Sequence, residues 1–268
     1  MKSTRTYGIE IEAYNVTHST ILRALRAVGI QVEDEGYSHR TTPHWKIVTD
    51  CSLSGPNTFE IVSPILTGDA GLAQLKTVCD VLKQVGAKVN TSCGLHVHVN
   101  GRDFNNSLTK VKNLARMWFK YETCFDQIVA PSRRGNCMTK SNLALHGGSV
   151  DASFKEISKA TRLSQVMIAT NEFADSCTGR YRKLNLCALL RHGTVEFRQH
   201  GGTIDYEKIS NWVELLTDFA DEAAAAVCIS SKGAGDFDRL LRNASNPEVR
   251  KYLKARRVFF NSSAAVGT

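Results

Sequence analysis

No apolar run in this chain approaches the roughly 20 residues needed to cross a bilayer, so no membrane span is expected. Nothing at Met1-Lys2-Ser3-Thr4-Arg5 resembles a secretory leader, and a strand pattern begins at once. Eight cysteines stand at 51, 79, 93, 124, 137, 177, 187 and 228, yet no pair has the C-x-x-C spacing of a structural zinc site. Several, such as Cys79 and Cys187, fall inside apolar segments. They read as reduced and mostly buried, which points to the cytoplasm. Internal repeats, low-complexity linkers and the recognised nucleic-acid motifs are all missing. The 268 residues suffice for one large domain or two small ones.

Positive charge is in mild excess, with a net charge of +8 and a pI near 9.1. This suits an anionic ligand such as a nucleotide, and equally weak contact with nucleic acid. Residues 232–258 hold eight Lys or Arg against three Asp or Glu. A solvated helical face is the ordinary reading of such a run; contact with nucleic acid or an acidic partner is the other.

Four short stretches alternate with period two: Gly8-Ile9-Glu10-Ile11-Glu12, Phe59-Glu60-Ile61-Val62, Leu95-His96-Val97-His98-Val99 and Thr194-Val195-Glu196-Phe197-Arg198-Gln199-His200. In each, apolar residues hold one parity and Glu, His or Arg the other, as in a strand with one buried face. Solvent is the commonest destination of such a polar face. Four strands of the same design in one sheet would instead gather their carboxylates and imidazoles together.

The rest reads as connecting structure. Helices are expected over 17–28, 68–86, 107–128, 151–173, 204–226 and 247–260, with a frayed tail after Asn261. Further strands are expected at Val32, 45–50 and Lys88-Val89. Tyr181–Leu190 should form a hairpin with Thr194–His200, turning at His192-Gly193. Residues 131–150 read as a long loop, a type that is often functional. Two units are expected: a catalytic domain over 1–230 and a basic C-terminal helical extension over 231–268.

Glu10 and Glu12 lie two apart on one strand, which puts their carboxylates about 7 Å apart on one face. Like charges that close repel unless a cation offsets them. His96 and His98 repeat the spacing with imidazoles, a pattern that serves metal or phosphate binding and structural roles alike. Glu196 can hold a cation while Arg198 reaches the phosphoryl group that the cation bridges. A site rich in carboxylates suits magnesium or manganese better than zinc. Glu122, on a helix with Trp118, Phe119 and Phe125, reads as a solvated edge, and Cys93 as packing.

These motifs, with Asp50-Cys51-Ser52-Leu53, Glu60-Ile61-Val62-Ser63-Pro64 and Ser132-Arg133-Arg134, resemble the amidoligase family over about residues 5–225. That family belongs to the carboxylate–amine ligases related to glutamine synthetase and glutamate–cysteine ligase. The resemblance implies an α+β fold with a curved, mainly antiparallel sheet, helices on its convex face, and a site for ATP with Mg2+ or Mn2+. It implies Glu10, Glu12, Glu60, His96 and Glu196 as metal ligands and Arg198 on the transferring phosphoryl group. His98 resembles a nucleotide-proximal position; Arg133, Arg180, Arg182 and Asn185 resemble positions near phosphate or substrate. The implied reaction makes an acyl phosphate and ADP, then an amide or isopeptide bond. Asp50 is the candidate for positioning or deprotonating the amine, with a turn cap as its other reading. The partners implied are a small-molecule or peptide carboxylate and an amine. No separate N-terminal domain is evident, so a ring-shaped oligomer is not carried over, while self-association stays open.

Two other classes fit parts of the sequence. One is a metal-dependent hydrolase or oxygenase using the His-x-His strand. The other is a non-catalytic module on the same fold, docking on nucleic acid through its basic C-terminal region.

Overall fold

The computed structural model describes residues 1–175 and 178–265. In chain order its elements are β1 (Tyr7–Ala13), α1 (His18–Ala27), β2 (Val32–Gly36), β3 (Trp45–Val48), β4 (Phe59–Val62), α2 (Gly68–Gln84), β5 (Gly94–Asn100), α3 (Arg102–Asn105), α4 (Leu108–Asp126), α5 (Val150–Lys159), α6 (Leu163–Asn171), β6 (Leu184–Asn185), α7 (Ala188–His192), β7 (Thr194–Gly201), α8 (Tyr206–Ala225), α9 (Phe237–Asn243) and α10 (Pro247–Ala265). The strands form one sheet in the order β2-β3-β4-β1-β5-β7-β6. Every neighbouring pair is antiparallel except β2 with β3. The architecture is α+β.

One face of the sheet is apolar. Ile9, Ile11, Ile61, Leu95, Val97, Val195 and Phe197 are buried there with Trp118 and Phe125 of α4 and Phe219 of α8. The Phe197 ring lies 5.7 Å from Trp118 and 6.5 Å from Phe219, centroid to centroid. Burying a side chain of this size contributes about 1.5–3 kcal/mol, so the strand alternation and the helix periodicity fix the same face. The helices start where their sequences say they should: Thr17, Ser107 and Asp205 accept from the amides of Thr20, Lys110 and Lys208, caps each worth about 1 kcal/mol. Among the described residues, no helix is long and apolar enough to cross a membrane.

Several expectations are corrected. Lys88 makes only an isolated bridge to Tyr14, not a strand. Residues 151–173 hold two helices, because the Gln165 side chain accepts the Thr161 amide and starts α6 afresh. The hairpin partner of β7 is two residues long. Ala188–His192 is helical, as its run of good helix formers favours, and Gly193 ends it at φ 66°. The 131–150 loop contains 3-10 turns at Pro131–Arg133 and Leu143–His146. Helix α10 continues through Ala265 where fraying was expected; residues 266–268 and Cys177 lie outside the described residues. The other seven cysteines are free, with Cys79, Cys93, Cys124 and Cys187 buried and Cys51, Cys137 and Cys228 exposed.

Candidate active site

The face opposite the helices carries the polar residues. Register does the positioning: Glu12 stands opposite Glu60 across β1–β4, Glu10 opposite His96 across β1–β5, and His98 opposite Glu196 across β5–β7. Glu10 sends Oε2 to within 3.0 Å of His96 Nδ1 and Oε1 to within 3.4 Å of His98 Nε2. Glu196 Oε1 lies 4.0 Å from His96 Nδ1 and 3.8 Å from His98 Nε2. Arg198 Nη1 donates to the same oxygen of Glu196, and Asn185 Nδ2 donates to its other oxygen at 2.6 Å. His98 is oriented by Thr194, whose Oγ1 is 2.9 Å from Nδ1.

The charges adjust to this crowding. Burial pushes the Glu10 carboxyl up, yet His98 and His96 hold it well below the usual carboxylate range. Burial, with Glu10, Glu12 and Asp50, pushes Glu60 well above that range. Burial disfavours a charged His98, but Glu196 and Glu10 outweigh it and lift its pKa. Burial likewise acts against a charged Glu196, and Arg198 and His98 bring its pKa down. The same crowding thus drives one carboxyl up while the cationic neighbours of the other two bring them down.

On this face, two groups of donor atoms fit a cation. Ligand atoms of Glu10, Glu60 and His96 lie within 4.8 Å of one another, and so do those of Glu10, His98 and Glu196. Glu10 belongs to both. Each group has two carboxylates and one imidazole, a donor set suited to a hard divalent ion. A cation there would supply the positive charge that Glu60 lacks. Beside them, Arg198 Nε is buried without a hydrogen-bond partner in the protein, a donor left over for an anionic ligand.

The remaining candidates divide. Glu12 shares the polar face, but its Oε2 accepts the Gly94 amide and it joins neither three-residue group. Arg133 is buried, with Nη2 donating to the Arg198 carbonyl at 3.0 Å and Nε to the Gln199 carbonyl at 3.4 Å. Asp50 caps its turn, accepting the Ser52 amide at 2.7 Å. Its charge still contributes to the rise of the Glu60 pKa. Arg180 stacks on the Tyr181 ring, 4.9 Å from the centroid. Arg182 is tied to Glu172 at 2.6 Å and to the Ser141 carbonyl at 2.7 Å.

Two sequence expectations change. His200 does not join Glu196 and Arg198 on the polar face. A register shift in β7 places it opposite Leu95, with its ring 5.1 Å from Trp212 of α8. Glu122 is 1% exposed, not solvated, and pairs with Lys183 at 3.2 Å. The sequence reading also passed over Lys46. It stands opposite Val62, which itself stands opposite Glu10, so it belongs to the polar face. Its ammonium donates to the Ser38 carbonyl at 3.1 Å and to that of Arg40 at 2.5 Å. The alternation Trp45-Lys46-Ile47 carried that signal. His192, whose ring is 5.8 Å from that of His98, was read only as a turn.

The fold and the site define an α+β protein with a carboxylate–imidazole cluster on the polar face of a mainly antiparallel sheet. A family model described as "Putative amidoligase enzyme" matches residues 3–220. The chain belongs to this amidoligase family, and its class is that of a ligase. No curated protein matches it. Among solved structures, a novel glutamine synthase homolog aligns at 11% identity with a TM-score of 0.48, over 98% of this chain and 68% of that one.

Proposed function

We propose that the protein is an ATP-dependent ligase that joins a carboxylate to an amine through an acyl phosphate, releasing ADP. The observation that carries this reading is Glu10 shared between two cation-fitting groups, with the unused Nε of Arg198 beside Glu196. Glu10, Glu60 and His96 would hold one divalent cation, and Glu10, His98 and Glu196 another, with Glu12 alongside. When bound, Mg2+ or Mn2+ would offset the phosphate charge of ATP.

The chain's own residues then have definable tasks. Arg198 would bind the transferring phosphoryl group, its guanidinium held by Glu196. The substrate carboxylate attacks the γ-phosphorus and the bond to ADP breaks. The amine nitrogen next attacks the acyl carbon, phosphate leaves, and the nitrogen gives up a proton. We assign that proton to Asp50, which lies near enough to Glu60 to raise its pKa. His98, Arg180 and Asn185 would border the nucleotide. Arg182, held by Glu172 and the Ser141 carbonyl, would lie beside them.

His96 and His98 belong to different ligand groups, which speaks against a hydrolase or oxygenase built on one two-histidine metal. Free thiols at all seven described cysteines agree with a cytoplasmic setting. Product chromatography tests the reaction in the presence of a panel of carboxylates and amines. ADP plus phosphate is expected; AMP plus pyrophosphate would overturn the acyl-phosphate route.

A further inference from the structure

Strand β7 does not pair evenly with β5. Val97 stands opposite Phe197 and Leu95 opposite His200, so Arg198 and Gln199 together face the single residue His96. This is a bulge, and it re-aims the side chains on either side of it. Main-chain groups at a bulge need partners outside the ladder. Here they come from one buried side chain and from the main chain just before the edge strand β6. The Arg198 amide donates to the Lys183 carbonyl at 2.9 Å. Arg133 donates to the Arg198 and Gln199 carbonyls.

Lys183 is itself anchored. It is 1% exposed, and its Nζ lies 2.7 Å from Asp126 Oδ1 and 3.2 Å from Glu122 Oε1, both on α4. Asp126 Oδ1 also accepts from the Gln199 side chain, and Glu122 Oε2 accepts the Leu143 amide. The anchor therefore grips both bulge residues, Arg198 through the Lys183 main chain and Gln199 through Asp126. A buried ion pair of this kind is a weak source of stability compared with apolar packing. Its connections run instead to the strand that carries Glu196 and Arg198.

We propose that Lys183 and Arg133 are positioning residues: together they hold the β7 bulge in the shape that sets the Arg198 guanidinium beside Glu196. Arg133 acts here on main-chain carbonyls, not on substrate. The link to catalysis rests on the proposed role of Arg198 at the phosphoryl group.

The test uses two variants of the full chain. In Lys183→Met/Asp126→Asn/Glu122→Gln all three charges of the anchor go together, so neither of the buried ones, Lys183 and Glu122, is left unpaired. Arg133→Lys keeps the charge but loses the planar fork that spans two carbonyls. Amide hydrogen exchange at 198–202 and affinity for ATP with magnesium are both measured. Exchange at 198–202 should quicken about tenfold or more while the amides of β1 stay protected, and ATP affinity should fall about tenfold, as for loss of a charged hydrogen bond. Folded variants with wild-type exchange at 198–202 would overturn the proposal. If the wild-type protein fails to bind ATP with magnesium, the ligase reading fails on that result, and the exchange data alone decide the clamp.

Discussion

Glu10 faces His96 across the β1–β5 ladder with 3.0 Å between its Oε2 and the imidazole Nδ1, and reaches His98 with its other oxygen. One carboxylate thus serves both imidazoles. Glu10→Gln should reduce magnesium-dependent ATP binding more than His96→Ala, which removes a neutral ligand from one group only. The fold should persist, since Glu10 sits on the polar face and leaves the core untouched. Calorimetry of ATP binding beside a thermal melt checks this; equal losses in the two variants would count against the shared role.

Arg198→Lys keeps the charge and removes the fork. Turnover should fall about 100-fold or more, the scale seen when one preorganised donor to a developing charge is lost. Circular dichroism should be unchanged. Near-normal ADP release from a folded Arg198→Lys protein would make Arg198 a structural partner of Glu196 only.

ATP binding should be negligible in EDTA and return with magnesium or manganese. Glu10, Glu12, Glu60 and Glu196 bring up to four negative charges to one face, and ATP adds about four more. Titration calorimetry with and without the metal decides it. Tight binding in EDTA would rule out the assigned ligand set.

Gly94 is a tightly packed point of the polar face. A Cβ there would lie 2.9 Å from His96 Nε2, 3.1 Å from Arg133 Nη2 and 3.3 Å from Glu12 Oε2. Gly94→Ala should therefore displace the His96 ring and weaken metal-dependent ATP binding about tenfold, with a smaller effect on stability. An unchanged affinity would mean that the imidazole yields freely.

His200 gives the fold a pH dependence. Burial, helped by Arg256, pushes its pKa down to about 4, against the 6.5 of an unperturbed histidine. Its Nδ1 donates to the Gly201 carbonyl at 2.7 Å. The folded state favours the neutral ring, so the unfolded chain binds more protons between those two values. Its contribution is fully present above pH 6.5 and is lost as pH falls toward 4, up to about 3 kcal/mol. Urea melts across that window should show the decline, and a His200→Phe variant should flatten it. Parallel slopes in the two proteins would assign the acid sensitivity elsewhere.

Much of this was legible in the chain because strands have a period of two. Ile9 and Ile11 against Glu10 and Glu12, or Val97 against His96 and His98, state both faces of a strand at once. The sheet order could not be read that way, nor could the bulge: one extra residue in β7 reverses the parity, which is why His200 seemed to belong with Arg198. Glu122 follows Trp118 by four residues and precedes Phe125 by three, so the helical period already put it on the apolar side of α4; only its charge made it look exposed, and its partner Lys183 is 61 residues away (183 minus 122) and carries no local signal. Lys46 was legible and was passed over, since a lysine in a short strand ordinarily faces water.

The sharing of Glu10 has a consequence for how the site fills. A charge held at one group alters the field that the other group feels through a carboxylate common to both, and by reciprocity the second alters the first by the same free energy. The two groups are therefore one coupled unit. A titration with divalent cation should give two steps that shift together when either His96 or His98 is replaced, because Glu10 carries the change across the ladder.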